Sequence, residues 1–437
     1  MVSSMLVTGF AAAMGCSSAF QSDPSTENTD AEVFDSAQPM DGSAPDRIEP
    51  DPDPPPGIPA GWELDRSYWN QCGFYVPASE EKLPPPLAWE PCPTDAGVGS
   101  CSLAVAGWTA ATSGTNGGYV EAAWSNATGP LFALKRVVTD KIVVNAFAAL
   151  DGPVRGAILQ TRTNVCSLTA PHVFNDRYAF TVLELGVETG GGIVAGEVDA
   201  LRPRIALHLD SKRAHTGYAA SAALLDHSAG TYNQWSWTDA APLDPLWSSA
   251  QENGLQLGVP VFAGDAMFFP ASNSLHHKIK VHTPAGGVRD FLTYGTATDR
   301  GYGDLGTDGV DMVWIDAKRS AASGPFETLT IMTAPHTTDP ATIVPRRLRT
   351  EVGPNFDVSQ FIVSCGHAVR STGNSIRVVR LSDGWSWVLP SVQGAPVYWA
   401  TPIALTCTDV FVNAFTGGAY RTARVRLDSL GAGIAPD

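Results

Sequence analysis

The sequence predicts an all-β fold, and three observations carry this prediction. Only 16% of the 437 residues are charged, against about 25% in average globular chains, which disfavours long solvent-exposed helices. Turn formers are abundant, with 42 Gly and 33 Pro. Short segments alternate between apolar and polar residues, as half-buried strands do, and none keeps a helical period over three turns.

Ten segments show the strand pattern clearly. They are rich in Val, Ile, Thr and aromatic residues, and Gly, Pro, Asn or Asp bounds them. The segments are 119–125, 131–138, 141–147, 178–185, 204–209, 277–282, 310–316, 327–333, 376–381 and 421–427.

A turn signal followed by an apolar strand recurs seven times, at intervals of 36 to 52 residues. The instances begin near Asp140, Asp176, Gly217, Asp265, Asp308, Gln360 and Asp409. A repeat of 40–50 residues that holds about four short strands is typical of a β-propeller blade. The sequence therefore predicts a propeller of seven blades. The spacing also leaves six or eight blades open, and a pair of β-sandwiches is the alternative.

Two further patterns concern the ends of the ring. Val144–Phe147 and Val412–Phe415 share the wording V-N-A-F, which predicts equivalent positions in the first and last blades. A propeller ring is commonly closed when an N-terminal strand pairs with the last blade. Residues 60–110 contain candidate strands for this role, so we assign 60–437 to the propeller domain.

The N-terminal 16 residues read as an export signal. An apolar run from Met5 to Met14 is too short for the roughly 20 residues that span a bilayer, but it fits the core of a signal peptide. It ends in Ala13-Met14-Gly15-Cys16, which resembles a bacterial lipobox with Cys16 as the lipidated residue. Ser17 favours the bacterial outer membrane, on its periplasmic or outer side. An ordinary signal peptide and a secreted protein form the alternative.

Residues 17–59 are predicted to form a disordered, acidic, Pro-rich tether. They contain ten acidic residues and one basic residue, so they hold −9 of the net charge of −16. So few large apolar residues cannot offset the entropy of ordering the chain. With 28 basic against 44 acidic residues in the whole chain, nucleic-acid binding is disfavoured.

Six cysteines remain besides Cys16, and an even number in an exported chain indicates disulfides. We expect one bond within the segment Cys72–Cys101, which also contains Cys92, and one between Cys365 and Cys407. The second pair is 42 residues apart, one repeat length, so it would connect equivalent positions of neighbouring blades.

Several segments resemble a family of exported, lipid-anchored β-propeller-like proteins of unknown function from myxobacteria and their relatives. The resemblance covers about 60–432 and implies a fold and an export route, with no assigned reaction. The segments that carry it are 72–77 (CGFYVP), 87–92 (LAWEPC), 308–314 (DGVDMVW), 331–335 (IMTAP), 344–349 (VPRRLR), 377–387 (RVVRLSDGWSW), 405–412 (LTCTDVFV) and 424–431 (RVRLDSLG).

One loop has the residue types of a calcium site. Asp304, Asp308 and Asp311 lie in GDLGTDGVDMVW, and Ca²⁺ prefers several carboxylate and carbonyl oxygens on one tight loop. The loop departs from the calcium loop of some propeller blades at Gly306, where a ligand is needed. A hairpin turn is the simpler interpretation. No other cofactor is indicated.

Three other groups are interpreted as structural. His276, Lys278, Lys280 and His282 lie on one side of a predicted strand, and we interpret this side as exposed to solvent. The pairs Trp235/Trp237 and Trp385/Trp387 read as core. The C-terminal arginines read as ion-pair partners, with anionic glycans or lipid headgroups as the alternative. They are Arg346, Arg347, Arg349, Arg377, Arg380, Arg421, Arg424 and Arg426.

No catalytic motif stands out. G-x-S-x-G is absent, and Cys365 with His367 is better explained by a disulfide than by nucleophilic catalysis. The sequence therefore favours a lipid-anchored binding or scaffold module of the cell envelope, with a protein or glycan partner. The alternative is a propeller hydrolase or lyase that acts on polysaccharide, whose carboxylates would come from different blades.

Overall fold

In a computed structural model of the chain, the strands form seven β-sheets. The structure describes residues 58–436, all within the compact unit Pro55–Asp437. The positions outside the described residues are 59, 66–71, 85–86, 90–100, 106–117, 127–128, 140–141, 150–151, 162–165, 170, 185–190, 210–214, 222, 229, 249–255, 273–276, 294–298, 321–325, 353–360, 373–374, 390–399 and 417–418. The predicted signal peptide and lipidated Cys16 therefore lie outside them, as does nearly all of the predicted tether.

The strands follow one another along the chain as a series of antiparallel meanders. The N-terminal strands are β1 (Trp62–Leu64), β2 (Phe74–Pro77), β3 (Leu87–Trp89) and β4 (Cys101–Val105). Blade 1 contains β5 (Gly118–Asn126), β6 (Gly129–Thr139), β7 (Ile142–Ala149) and β8 (Val154–Gln160). Blade 2 contains β9 (Cys166–Leu168), β10 (His172–Phe174), β11 (Arg177–Glu184), β12 (Gly191–Glu197) and β13 (Ile205–Leu209).

The next two blades continue the pattern. Blade 3 contains β14 (His215–Ala219), β15 (Leu224–Ser228), β16 (Thr231–Trp235) and β17 (Pro242–Ser248). Blade 4 contains β18 (Gln256–Leu257), β19 (Val261–Ala263), β20 (Ala266–Ser272), β21 (His277–Thr283) and β22 (Gly287–Thr293).

The last three blades complete the ring. Blade 5 contains β23 (Arg300–Thr307), β24 (Asp311–Arg319), β25 (Phe326–Pro335) and β26 (Arg346–Val352). Blade 6 contains β27 (Ile362–Ser364), β28 (His367–Thr372), β29 (Ser375–Arg380) and β30 (Ser386–Val388). Blade 7 contains β31 (Ala400–Leu405), β32 (Asp409–Thr416) and β33 (Ala419–Arg426). The predicted all-β propeller of seven blades is confirmed.

A hydrophobic cluster fills each of the seven interfaces between neighbouring blades. Middle strands are therefore buried on both faces, which explains their continuous apolar runs, such as β8 with the sequence VRGAILQ. Trp314, buried between blades 4 and 5, shows how large aromatic side chains fill these wedges. No helix among the described residues is long and apolar enough to cross a membrane.

The N-terminal segment closes the ring from both sides. Strand β4 pairs with β33, through Ser102 opposite Ala423, and so becomes the outer strand of blade 7, with β3 beyond it. Strand β2 pairs with β8 at the outer edge of blade 1, and β1 extends that sheet. The predicted closure by a strand from 60–110 is confirmed, and the addition of β1 and β2 to blade 1 was not foreseen.

The repeat predicted the correct number of blades, but its instances fall on different strands of the blades and not on one equivalent strand. The instances at Asp176, Asp265, Asp308 and Asp409 precede or begin second strands, whereas Gly217 lies in the first strand of blade 3. Val144–Phe147 lies in the third strand of blade 1 and Val412–Phe415 in the second strand of blade 7, so their predicted equivalence is wrong. Strands buried on both faces have similar apolar sequences, and this similarity hides their position within a blade.

Candidate functional site

Most of the turns on one side of the ring belong to the described residues, and we call this side the turn face. It is formed by the turns between first and second strands and between third and fourth strands, which an antiparallel meander places on the same side. Most residues of the turns between second and third strands, among them 185–190, 273–276 and 321–325, lie outside the described residues.

Three turns of this face share one geometry. Asn175-Asp176, Gly264-Asp265 and Cys365-Gly366 each connect two strands through a two-residue loop. The first residue of each loop has a positive φ, of 55° for Asn175, 56° for Gly264 and 49° for Cys365. Tight hairpins require this left-handed backbone because it matches the twist of the flanking strands. Asn and Gly tolerate it readily.

A cavity of about 410 Å³ opens on the turn face between blades 2 and 3. It is predominantly polar, with three carboxylic acids, one arginine and one aromatic ring in its lining. The lining residues are Phe174, Asn175, Asp176, Arg177, Glu197, Asp199 and Ser221. The sheet register explains their convergence, because Arg177 pairs directly with Glu197 and Phe174 closes the turn opposite Arg177.

Contacts to blades 3 and 4 hold the polar groups of the cavity in place. The Arg177 guanidinium donates a 2.8 Å hydrogen bond to the Ser221 carbonyl and lies 4.8 Å from the centre of the Trp237 ring. Trp237 is itself buried and donates to the Ala220 carbonyl. The Ser221 hydroxyl donates to Asp265, at 2.8 Å. Turns of three consecutive blades are therefore connected at this site.

Aromatic rings lie beneath the cavity, where the first strands of blades 2, 3 and 4 approach one another. The Phe174 and Phe262 ring centres are 5.4 Å apart, and the His172 ring contacts Phe262 and Tyr218. Burial lowers the pKa of His172 to about 4, and a hydrogen bond with the Ala219 backbone opposes this shift. His172 is therefore neutral near pH 7.

The predicted calcium loop is a hairpin turn at its centre. Oδ1 of Asp308 accepts hydrogen bonds from the backbone N–H groups of Val310 and Asp311, both at 2.9 Å. Burial and then the nearby Asp308 raise the pKa of Asp311, while Arg346 lowers it. The Asp304 side chain lies outside the described residues, so the calcium prediction stays untested. Within the described part of the chain, no group of three or more His, Cys, Asp or Glu is placed to hold a metal ion.

Gly306, which interrupts the calcium pattern, has a packing role. A Cβ atom there would lie 2.6 Å from the Phe361 carbonyl oxygen and 2.7 Å from the Phe361 Cβ. Residue 306 belongs to the first strand of blade 5, and Phe361 immediately precedes the first strand of blade 6. Only glycine allows the two blades to approach this closely.

The interpretation of the Lys278–His282 strand as solvated is wrong at Lys280. The Lys280 side chain is only 2% exposed, and its ammonium group lies 2.7 Å from Asp290 and 5.6 Å from the Trp247 ring. Lys278 contacts the same carboxylate, at 3.1 Å. Burial alone would raise the pKa of Asp290, but hydrogen bonds from the two lysines lower it overall. His276 lies outside the described residues.

The tryptophan pairs differ from each other. Trp237 is core, as predicted, whereas Trp385 is 36% exposed. Trp385 and Trp387 instead contact the C-terminal segment, where a Cβ on Gly433 would lie within 2.9 Å of both rings. Ser386 and Ile434 also exchange backbone hydrogen bonds, so the C-terminal segment lies against blade 6.

Several C-terminal arginines form ion pairs, as expected. Arg424 contacts the buried Asp409 at 2.9 Å, and Arg377 lies 2.8 Å from Glu351 of the adjacent blade. Burial alone would raise the pKa of Asp409, but hydrogen bonds from Arg424 and Thr408 lower it overall. Arg380 and Arg426 pair with Asp383 and Asp428. Arg346 and Arg349 donate to backbone carbonyls, and the side chain of Arg421 lies outside the described residues.

Two disulfides connect neighbouring blades. Cys365 and Cys407, the predicted pair, join the first turns of blades 6 and 7. Cys72 is bonded to Cys166, so it does not form the bond expected within Cys72–Cys101. Cys72 precedes β2 at the edge of blade 1, and Cys166 begins blade 2. Cys92 lies outside the described residues, as does the side chain of Cys101.

Sequence reasoning did not find the cavity. It recognised Asp176 only as the turn before a strand, and it gave no role to Arg177, Glu197 or Ser221. These residues lie up to 45 positions apart and share no motif. Cross-strand register and blade packing bring them together. The available signal was the turn chemistry of Asn175-Asp176, which marks a tight hairpin on the turn face.

The fold defines the chain as a seven-bladed β-propeller. Solved structures with a similar fold include an oligogalacturonate lyase in complex with manganese, with 10% identity, 79% of this chain and 98% of that chain covered, and a TM-score of 0.49. Another is the β-propeller domain of the Trilobed protease from Pyrococcus furiosus, with 10% identity, coverage of 72% and 99%, and a TM-score of 0.43. No protein-family model and no curated protein matches the sequence.

Proposed function

We propose that this chain is a lipid-anchored β-propeller of the cell envelope that binds a protein or glycan ligand. The ligand contacts the turn face at the cavity between blades 2 and 3. The cavity carries this proposal, because it is open and polar and because contacts to neighbouring blades hold the Arg177 and Ser221 side chains that line it. Loops held by a rigid ring are a common location for binding residues.

The chemistry of the cavity favours ligands that carry amino or guanidinium groups. Asp176, Glu197 and Asp199 place three carboxylic acids around one opening. Arg177 is directed toward Ser221 and Trp237, so its charge is held at one side of the cavity. A cationic group bound there would gain charge-assisted hydrogen bonds, and Phe174 would offer an aromatic surface beside it.

A binding experiment with matched variants tests the proposal. The full chain is applied to a glycan array that includes amino sugars, and to a set of lysine-rich and arginine-rich peptides. The triple variant Asp176→Asn, Glu197→Gln, Asp199→Asn should weaken binding at least tenfold. The control variant Glu80→Gln, Glu81→Gln removes two exposed carboxylates from an edge turn near blade 1 and should bind normally. Equal binding by all three proteins would refute the site.

The alternative function, a hydrolase or lyase acting on polysaccharide, uses the same residues in a different way. It requires carboxylates on both sides of a glycosidic bond, and this cavity is where the described residues gather three of them. Release of reducing ends from acidic and amino polysaccharides, abolished in the triple variant and kept in the control, would favour catalysis. Binding without product release would favour the binding module.

The anchor is tested separately. The sequence Ala13-Met14-Gly15-Cys16 and the acidic tether of 17–59 support lipidation, and Ser17 supports outer-membrane sorting. Labelled palmitate should enter the expressed protein and should fail to enter the Cys16→Ala variant. Equal labelling of both proteins, or labelling of neither, would contradict the anchor and leave the cavity proposal intact.

A further inference from the structure

The two disulfides of this ring have opposite surroundings. Cys72 and Cys166 are both 0% exposed and belong to the hydrophobic cluster between blades 1 and 2. Cys365 and Cys407 are both exposed and lie in turns of the turn face. A reducing thiol must reach a sulfur atom to attack it, so access alone separates the two bonds.

The backbone geometry of the turn at Cys365 indicates that a cysteine occupies this position because of its disulfide bond and not because of its turn propensity. Its φ of 49° is a left-handed backbone, which side chains with a Cβ rarely adopt. The equivalent positions in blades 2 and 4 are Asn175 and Gly264, the residue types that this turn favours. Cysteine replaces them only in blade 6, among the three turns of this geometry that are described, and there it bonds to the turn of blade 7.

The surroundings also distinguish the two sulfur atoms. The Ser364 hydroxyl lies 3.6 Å from Sγ of Cys365 and donates a hydrogen bond to it. A hydrogen-bond donor stabilises a thiolate, and a stabilised thiolate is the better leaving group in exchange. Attack at Sγ of Cys407 would therefore release Cys365 as the thiolate.

We propose that the Cys365–Cys407 bond is a site of thiol–disulfide exchange with a dithiol reductant. One thiolate of the reductant attacks Sγ of Cys407, the Sγ–Sγ bond breaks, and its electron pair leaves on Sγ of Cys365, which takes a proton from water. The second thiolate of the reductant then attacks the reductant's own sulfur in the mixed disulfide, and Cys407 leaves as a thiolate that takes a proton from water. The reductant is oxidised to a disulfide by two electrons, and the protein gains two thiols.

The ring keeps its closure during this exchange, because other contacts hold blades 6 and 7 together. Val369 and Val378 of blade 6 pack against Leu405 and Val410 of blade 7 in a buried cluster. Blade 7 is also paired with β4, independently of the disulfide. Reduction therefore releases two turns on the turn face from each other and leaves the sheets in place.

Differential alkylation of the folded full-length chain tests this inference. The protein is treated with increasing dithiothreitol, blocked with iodoacetamide and mapped by mass spectrometry. Cys365 and Cys407 should be alkylated at concentrations at least tenfold below those that expose Cys72 and Cys166, with unchanged far-UV circular dichroism. A second series replaces dithiothreitol with a bacterial thioredoxin, and it shows whether a protein dithiol can also reduce the Cys365–Cys407 bond. Simultaneous alkylation of both pairs, or alkylation only after the spectrum changes, would overturn the proposal.

The direction of attack has its own test. The Ser364→Ala variant should slow reduction of the Cys365–Cys407 bond at least threefold, because it removes the donor to the leaving sulfur. Ser382→Ala, an exposed serine in another turn of blade 6, serves as the control and should reduce at the normal rate. An unchanged rate in Ser364→Ala would overturn the assignment of Cys365 as the leaving sulfur.

Discussion

Phe132 and Phe411 meet edge to face across the junction between the first and last blades, with ring centres 5.2 Å apart. Both rings are fully buried. They lie more than 270 residues apart in sequence, so their contact exists only in the closed ring. The pair therefore links the stability of the closure to the hydrophobic core.

Replacing Phe411 by Ala should lower the free energy of unfolding by about 3–5 kcal/mol, the usual cost of deleting a buried phenyl ring. Urea denaturation followed by fluorescence measures the change. Phe268→Ala, which removes an equally buried ring between blades 4 and 5, is the control for the ordinary cost of such a cavity. A loss below about 1 kcal/mol in Phe411→Ala would show that the blades do not pack as described.

Gly306→Ala should lower the free energy of unfolding by more than about 1 kcal/mol, the size of an ordinary Gly/Ala difference in backbone propensity. The reason is that the added Cβ would lie 2.6 Å from the Phe361 carbonyl oxygen. Thermal unfolding reports the change as a lower Tm. Gly303→Ala, on the same strand with nothing within 4 Å of the added Cβ, is the matched control and should stay close to the parent protein. Equal behaviour of the two variants would contradict the close approach of blades 5 and 6.

Asp290→Asn should cost about 1–2 kcal/mol in unfolding free energy, since it removes the carboxylate beside the buried Lys280 ammonium, and water partly screens that carboxylate because its side chain is 40% exposed. Lys280→Met removes the buried charge itself and keeps an unbranched side chain over Trp247. Its effect should be less than about 1 kcal/mol in either direction. Chemical denaturation measures the free energy of unfolding of both variants. A larger loss in Lys280→Met than in Asp290→Asn would refute the ion pair at the buried Lys280.

Stability should fall as the pH is lowered from about 6.5 to about 4, in part because of His172. Its folded-state pKa of about 4 lies below the ordinary value of 6.5, so the unfolded chain binds the proton first in this window. The His172→Phe variant removes this contribution and should show a shallower decrease of Tm between pH 6.5 and 4. An identical slope in both proteins would mean that the pKa of His172 is the same in the folded ring and the unfolded chain, which would contradict its burial.

The sequence alone predicted the class of fold and the number of blades. Alternating strands, turn residues and a repeat near 45 residues are local properties, so they can be read without the structure. The Cys365–Cys407 bond was predictable for the same reason, since its spacing equals one repeat. The exact register of the repeat was not, because buried strands such as β7 and β32 have similar apolar sequences.

Apart from the Cys365–Cys407 bond and the closure by β4, the contacts between blades were decided only by the tertiary structure. The burial of Lys280, the role of Gly306, the partner of Cys72 and the cavity beside Arg177 all arise where one blade packs on the next. The residues involved are separated by tens of positions, and no local pattern records which of them will meet. Local propensity and periodicity thus determine the strands and their number, whereas the chemistry of the turn face follows from the closure of the ring.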